Sequence, residues 1–121
     1  MIEYKVEVYD NETVWRLDGK LHREGDLPAV ERSEGHKEWW LNGKLHRENN
    51  KPAKILSNGS KLWFVNGRLH RTNGAAIEWD RWGREWFIDG FTFCEHTYLT
   101  GLKHFNKNLK TKQESCNNNC S

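Results

Sequence analysis

Trp39-Trp40-Leu41-Asn42-Gly43-Lys44-Leu45-His46-Arg47 decides the fold, because the chain contains it three times with little change. The other copies are Trp15-Arg16-Leu17-Asp18-Gly19-Lys20-Leu21-His22-Arg23 and Trp63-Phe64-Val65-Asn66-Gly67-Arg68-Leu69-His70-Arg71; Trp86-Phe87-Ile88-Asp89-Gly90-Phe91 is a decayed fourth. Asp18, Asn42 and Asn66 stand 24 residues apart, and Asp89 follows after 23. A fixed short period marks a repeat architecture, in which no unit can bury its apolar face alone and neighbours must stack.

Outward from the Trp segment, each unit begins with a short strand: Ala29-Val30-Glu31-Arg32, Ala53-Lys54-Ile55-Leu56 and Ala76-Ile77-Glu78-Trp79, with Lys5-Val6-Glu7-Val8 as a partial first member. A turn follows, then a second strand carrying the Trp and ending at Asp-Gly or Asn-Gly. Those dipeptides tolerate the positive φ angles of tight hairpins, the strongest short-range hairpin signal. Leu-His-Arg and a polar loop to Pro28 or Pro52 close the unit. The third unit is one residue short. The deletion is placed in the loop after Arg71, because a slip inside the hairpin would exchange the strand's two faces.

Alternation sorts the second strand onto two faces. Trp15 and Leu17, Trp39 and Leu41, Trp63 and Val65, Trp86 and Ile88 form a continuous apolar column, the expected core. The opposite face is mixed and carries an aromatic line at Trp40, Phe64 and Phe87. From Thr92 onward, Phe93, His96, Leu99, Leu102, Phe105 and Leu109 recur at helical spacing, which predicts a helix that caps the open end of the sheet. The expected architecture is therefore an all-β repeat, an elongated twisted antiparallel β-meander of 24-residue hairpin units. It divides into a repeat domain over residues 1–91, a capping helix over 92–112 and a disordered tail over 113–121.

Composition bounds the function. The chain has 121 residues, 36% hydrophobic and 12% aromatic with seven Trp, and a net charge of +2. That suits one thin aromatic-rich domain and gives no basic field of the kind nucleic-acid binders carry. No apolar run reaches the roughly 18 residues of a membrane span. The N-terminus alternates like a strand rather than a signal peptide. Three cysteines, Cys94, Cys116 and Cys120, cannot complete an intramolecular disulfide framework, so a cytoplasmic, reduced protein is expected. Cys116-x-x-x-Cys120 with His104 or Cys94 fits no common zinc spacing. Cys94 beside His96 lacks an orienting third group, and the glycines follow the turns rather than a phosphate-binding motif. No catalytic residue, cofactor or metal is assigned, and the chain is not read as an enzyme.

Two residue sets are candidates for binding. His22, Arg23, His46, Arg47, His70 and Arg71 form a ladder that could track phosphates of a nucleic acid or a small nucleotide. Recurrence in every unit favours a structural duty for them, with each His capping its own loop and each Arg pairing Glu24 or Glu48. Trp40, Phe64 and Phe87, joined by Trp79 and Trp82 in the irregular third unit, are the preferred contacts to a protein partner.

The repeat resembles MORN-type repeats with a Tyr/Trp-x-Asn-Gly-Lys-Leu core. Leu21-His22-Arg23-Glu24 to Pro28-Ala29, and Leu45-His46-Arg47-Glu48 to Pro52-Ala53, are similar to the Leu-His-Arg-Glu-Asp-Gly-Pro-Ala repeats of bacteriophage and giant-virus proteins. The likeness spans residues 5–90 and departs at Arg16, at Ala75 and in the fourth unit. It implies an interaction module of viral origin, a small protein that binds and inhibits a host factor in the host cytoplasm. A virion-associated structural protein that self-associates through its sheet edges is the remaining reading.

Overall fold

The computed structural model describes residues 2–81 and 83–93. These form an all-β structure of antiparallel strands, without a helix among the described residues. In chain order the strands are β1 (Lys5–Val8), β2 (Glu12–Leu17), β3 (Lys20–Leu21), β4 (Val30–Arg32), β5 (Lys37–Glu38), β6 (Trp40–Leu41), β7 (Lys44–Leu45), β8 (Lys54–Ile55), β9 (Lys61–Leu62), β10 (Phe64–Val65), β11 (Arg68–Leu69), β12 (Ile77–Trp79), β13 (Gly83–Ile88) and β14 (Phe91–Phe93). One sheet runs β1-β2-β4-β5-β8-β9-β12-β13-β14, its order following the chain, with β3 paired to β2. β6 with β7, and β10 with β11, make two small hairpins outside it.

Each Trp marks the point where the backbone changes partner. The Trp15, Trp39 and Trp63 amides donate to the carbonyls of Ala29, Ala53 and Ala76 at 2.7–2.8 Å, across to the next strand pair. Their carbonyls accept from the His22, His46 and His70 amides at 3.0–3.2 Å, within their own hairpins. The hairpin tips have two successive positive φ angles: 50° and 79° at Asp18-Gly19, 51° and 80° at Asn42-Gly43, 51° and 81° at Asn66-Gly67, 48° and 85° at Asp89-Gly90. This is the type I′ geometry that Asn-Gly and Asp-Gly favour, and its twist matches that of the flanking strands.

The shortened third unit keeps its hairpin. Val30 pairs Glu38, Lys54 pairs Leu62 and Ile77 pairs Glu85, so all three hairpins have the same length. The missing residue therefore falls between Arg71 and Ala76. Gly83, paired with Trp79, is one place beyond the glycines of the earlier turns.

The core is thinner than a column of large side chains. Trp39 and Trp63 are buried, whereas Leu17, Leu41 and Val65 are only half-buried. Ala29, Ala53 and Ala76 are 0% exposed, and Val14, Val30, Ala75, Ile77, Ile88 and Phe93 are buried with them, as are the polar His22, His36 and Ser60. At the C-terminal side, Thr92 and Phe93 continue β14, with Phe93 opposite Trp86, rather than opening a helix. The rest of the expected cap and tail, with all three cysteines, lies outside the described residues, as does Trp82.

Candidate interaction site

The His-Arg ladder is engaged within the protein, in ways that differ from the expected loop caps. The Arg23, Arg47 and Arg71 guanidinium carbons lie 3.7, 3.8 and 3.7 Å from the centroids of Trp15, Trp39 and Trp63. A guanidinium over an indole face is held by the ring quadrupole as well as by dispersion. Each also donates from Nη1 to a loop carbonyl, Pro28, Pro52 and Ala75 in turn, at 3.0–3.2 Å. Neither Glu24 nor Glu48 pairs with Arg23 or Arg47; Arg23 meets Glu31 at 4.0 Å and Arg71 meets Glu78 at 2.9 Å. Instead Arg47 Nε reaches Asp26 Oδ1 at 2.9 Å and Arg71 Nε reaches Asn50 Oδ1 at 2.8 Å, each in the preceding loop. The same two loop residues accept the Trp39 and Trp63 indole N–H groups on their backbone carbonyls. Hydrogen bonds from Arg47 and then Lys51 hold the Asp26 carboxyl below the ordinary aspartate range.

The histidines stitch consecutive hairpins. Nδ1 of His22, His46 and His70 accepts the backbone N–H of Asn42, Asn66 and Asp89 at 2.8–3.0 Å, each in the next hairpin tip. An accepting Nδ1 fixes the neutral ring with its proton on Nε2. That nitrogen faces Glu24 at 3.4 Å in His22 and Glu48 at 3.5 Å in His46. His22 is 6% exposed.

Among the described residues, clefts open between successive Arg-Trp pairs at two places. The larger, about 530 Å³, is lined by both His22-Arg23 and His46-Arg47, with Trp40, Glu24 and Glu48. The smaller, about 190 Å³, is lined by the equivalent Arg47, His70, Arg71 and Phe64, with Thr72 in the place of Glu48. The two sets of candidates, separate on paper, therefore share one surface at Trp40 and again at Phe64.

Trp40 is half-buried and oriented from behind: its indole N–H donates to Glu38 Oε1 at 2.8 Å. Glu38 Oε2 meets His36 Nε2 at 2.6 Å, and Lys54 Nζ stands 3.9 Å away. Burial drives the Glu38 carboxyl upward, but the His36 and Trp40 hydrogen bonds outweigh it and leave it below the ordinary glutamate value of 4.5. Trp79 is tied to Glu85 in a related way. It lines neither cleft. Phe87, half-buried, gives its carbonyl to the Arg71 amide.

Sequence reasoning missed Asp26, Asn50, Glu38 and the three alanines. The recurrence of Ala before each first strand, and of Asp or Asn three residues earlier, was the available signal. Among the described residues no group of His, Cys, Asp and Glu is placed to hold a metal ion, and no helix is long and apolar enough to cross a membrane. No family model, curated protein or solved structure matches the chain.

Proposed function

We propose that this chain is a non-enzymatic protein-binding module, an elongated, twisted MORN-like meander whose partner docks along the clefts at Trp40 and Phe64. One observation carries the reading. The ladder's cations are committed to indole faces, loop carbonyls and Asx side chains, while Trp40 and Phe64 keep part of their surface open in recurring clefts. Aromatic side chains held in place at concave sites are what protein interfaces use as anchors. The resemblance to phage and giant-virus repeats extends the reading to a viral protein that binds and inhibits a host factor in the cytoplasm. The anion-binding alternative draws less support, because Glu24, Asp26 and Glu48 line the same cleft as His22, Arg23, His46 and Arg47. The virion-associated, self-associating alternative draws on the edge strand β1, where Val6 and Val8 are exposed.

The test is affinity capture from host lysate with the wild type and with Trp40→Ala, Phe64→Ala, Trp79→Ala and Trp82→Ala, each checked for native fold by far-UV circular dichroism. Loss of a protein partner in Trp40→Ala or Phe64→Ala, with the fold retained, is the expected result. Undiminished capture by both cleft variants would remove the cleft from the interface. Release of the captured species by moderate salt, as nucleic acid rather than protein, would favour the phosphate-tracking ladder.

A further inference from the structure

The two clefts are equivalent in position but not in charge. Glu24 and Glu48 both line the larger, with side chains 55% and 78% exposed, and among the described residues the only ion-pair partners of either within 4.0 Å are His22 and His46. Among the described residues no lysine or arginine pairs with either carboxylate. The third carboxylate, Asp26, is already bridged by Arg47 and Lys51 at 2.9 and 3.0 Å. The cleft's own guanidiniums are turned to Trp15 and Trp39. What remains for an incoming group is an indole flank at Trp40 and two exposed carboxylates one repeat apart.

We propose that the larger cleft receives a basic side chain, arginine or lysine, presented by the protein partner. Its cationic head sits between Glu24 and Glu48, and its aliphatic stem lies along Trp40. This rests on the protein-binding reading above and adds to it the chemistry of the partner. Charge-assisted bonds to exposed carboxylates supply selectivity for a cation. The indole supplies apolar contact and a ring quadrupole of the right sign. Arginine is the better fit, because its planar fork can serve two carboxylates at once. The smaller cleft, where Glu48 takes the place of Glu24, Thr72 that of Glu48 and Phe64 that of Trp40, has only the one such carboxylate and serves as an internal control.

The experiment is a titration of the isotope-labelled full chain, by amide and indole NMR, with four capped tripeptides Gly-Xaa-Gly in which Xaa is Arg, Lys, Leu or Glu. The Arg and Lys peptides are expected to shift the Trp40 indole and the Glu24 and Glu48 amides, with Leu and Glu peptides leaving them unmoved. The double variant Glu24→Gln/Glu48→Gln should weaken the Arg peptide by about tenfold or more, the equivalent of one charge-assisted hydrogen bond. Both carboxylates are exposed, so this variant keeps the fold; its dispersed amide spectrum is the check. Glu48→Lys should turn the preference toward the Glu peptide. A Leu preference, a Glu preference in the wild type, shifts centred on Phe64, or no shift with any peptide would each overturn the proposal. A Leu preference, or silence from all four peptides together with partner capture that depends on Trp40, would leave the protein-binding reading standing without it.

Discussion

Arg47 lies over Trp39 with its guanidinium carbon 3.8 Å from the ring centroid, and Asp26 of the preceding loop grips both members of the pair. The carboxylate takes the Arg47 Nε–H and the backbone carbonyl takes the indole N–H. One loop residue thus locks a side-chain pair that belongs to the next unit. Removing the arginine loses a stacked cation, a carbonyl bond and a charge-assisted bond at a site where its side chain is 14% exposed. Arg47→Ala is expected to cost about 2–4 kcal/mol. Arg47→Lys should recover less than half of this, since a point charge cannot serve the ring, Asp26 and Pro52 together. A lowered urea midpoint at unchanged m-value is the readout; a midpoint within error of the wild type would mean the stack carries no stability.

The histidine tautomer is a second expectation. Nitrogen-15 shifts of His22, His46 and His70 at neutral pH should show an unprotonated Nδ1 and a protonated Nε2 in all three rings. His22→Ala should expose the Asn42 amide to faster hydrogen exchange and cost about 1–3 kcal/mol, the penalty of an unpaired backbone donor. A protonated Nδ1 in any of the rings would contradict the link between hairpins at that position.

Ala53 has no exposed surface, and both its backbone polar groups are bonded across the sheet, to Leu62 and Trp39. Ala53→Leu is expected to destabilise by about 1–3 kcal/mol through overpacking. Leu27→Ala, at a position 46% exposed, serves as the control and should change little. Thermal unfolding of the two variants checks both at once.

Acid should weaken the fold through Glu38. Its folded carboxyl releases its proton more readily than an ordinary glutamate of 4.5, because hydrogen bonds from His36 and Trp40 overcome the opposing effect of burial. A depressed folded value adds stability above the unfolded value, and that stability is lost as pH falls through the folded one. Urea midpoints should therefore drop as pH is lowered through and below about 4.5, and Glu38→Gln should flatten that acid limb. An unchanged limb in the variant would assign the acid response to other carboxylates.

The hairpins were legible because Asp-Gly and Asn-Gly constrain the backbone locally, whatever surrounds them. The place of the deletion was legible for a related reason: a register slip would have had to turn a whole face over. The side-chain partners were not. His22 and Asn42 lie 20 residues apart, and Arg47 and Asp26 lie 21 apart. A single unit, read alone, therefore shows a donor without its acceptor. Strict alternation also misjudged the core. Each Trp backbone turns from the large sheet to its own hairpin, and that change of partner leaves Leu41 and Val65 half-buried while alanines fill the interior. The aromatic line and the ladder were assigned separately because only the folded clefts bring Trp40 beside His22 and Arg47.

The bonds between units run from one to the next: a histidine nitrogen to the following tip at three junctions, and Asp26 or Asn50 to the following arginine and indole at two. A gene segment encoding one unit, duplicated in frame, would carry a full set of both halves and would dock on either side without any new surface having to evolve. Each added copy would bring another cleft, and because Arg47 and Glu48 line both of the clefts described, neighbouring clefts share residues and change together.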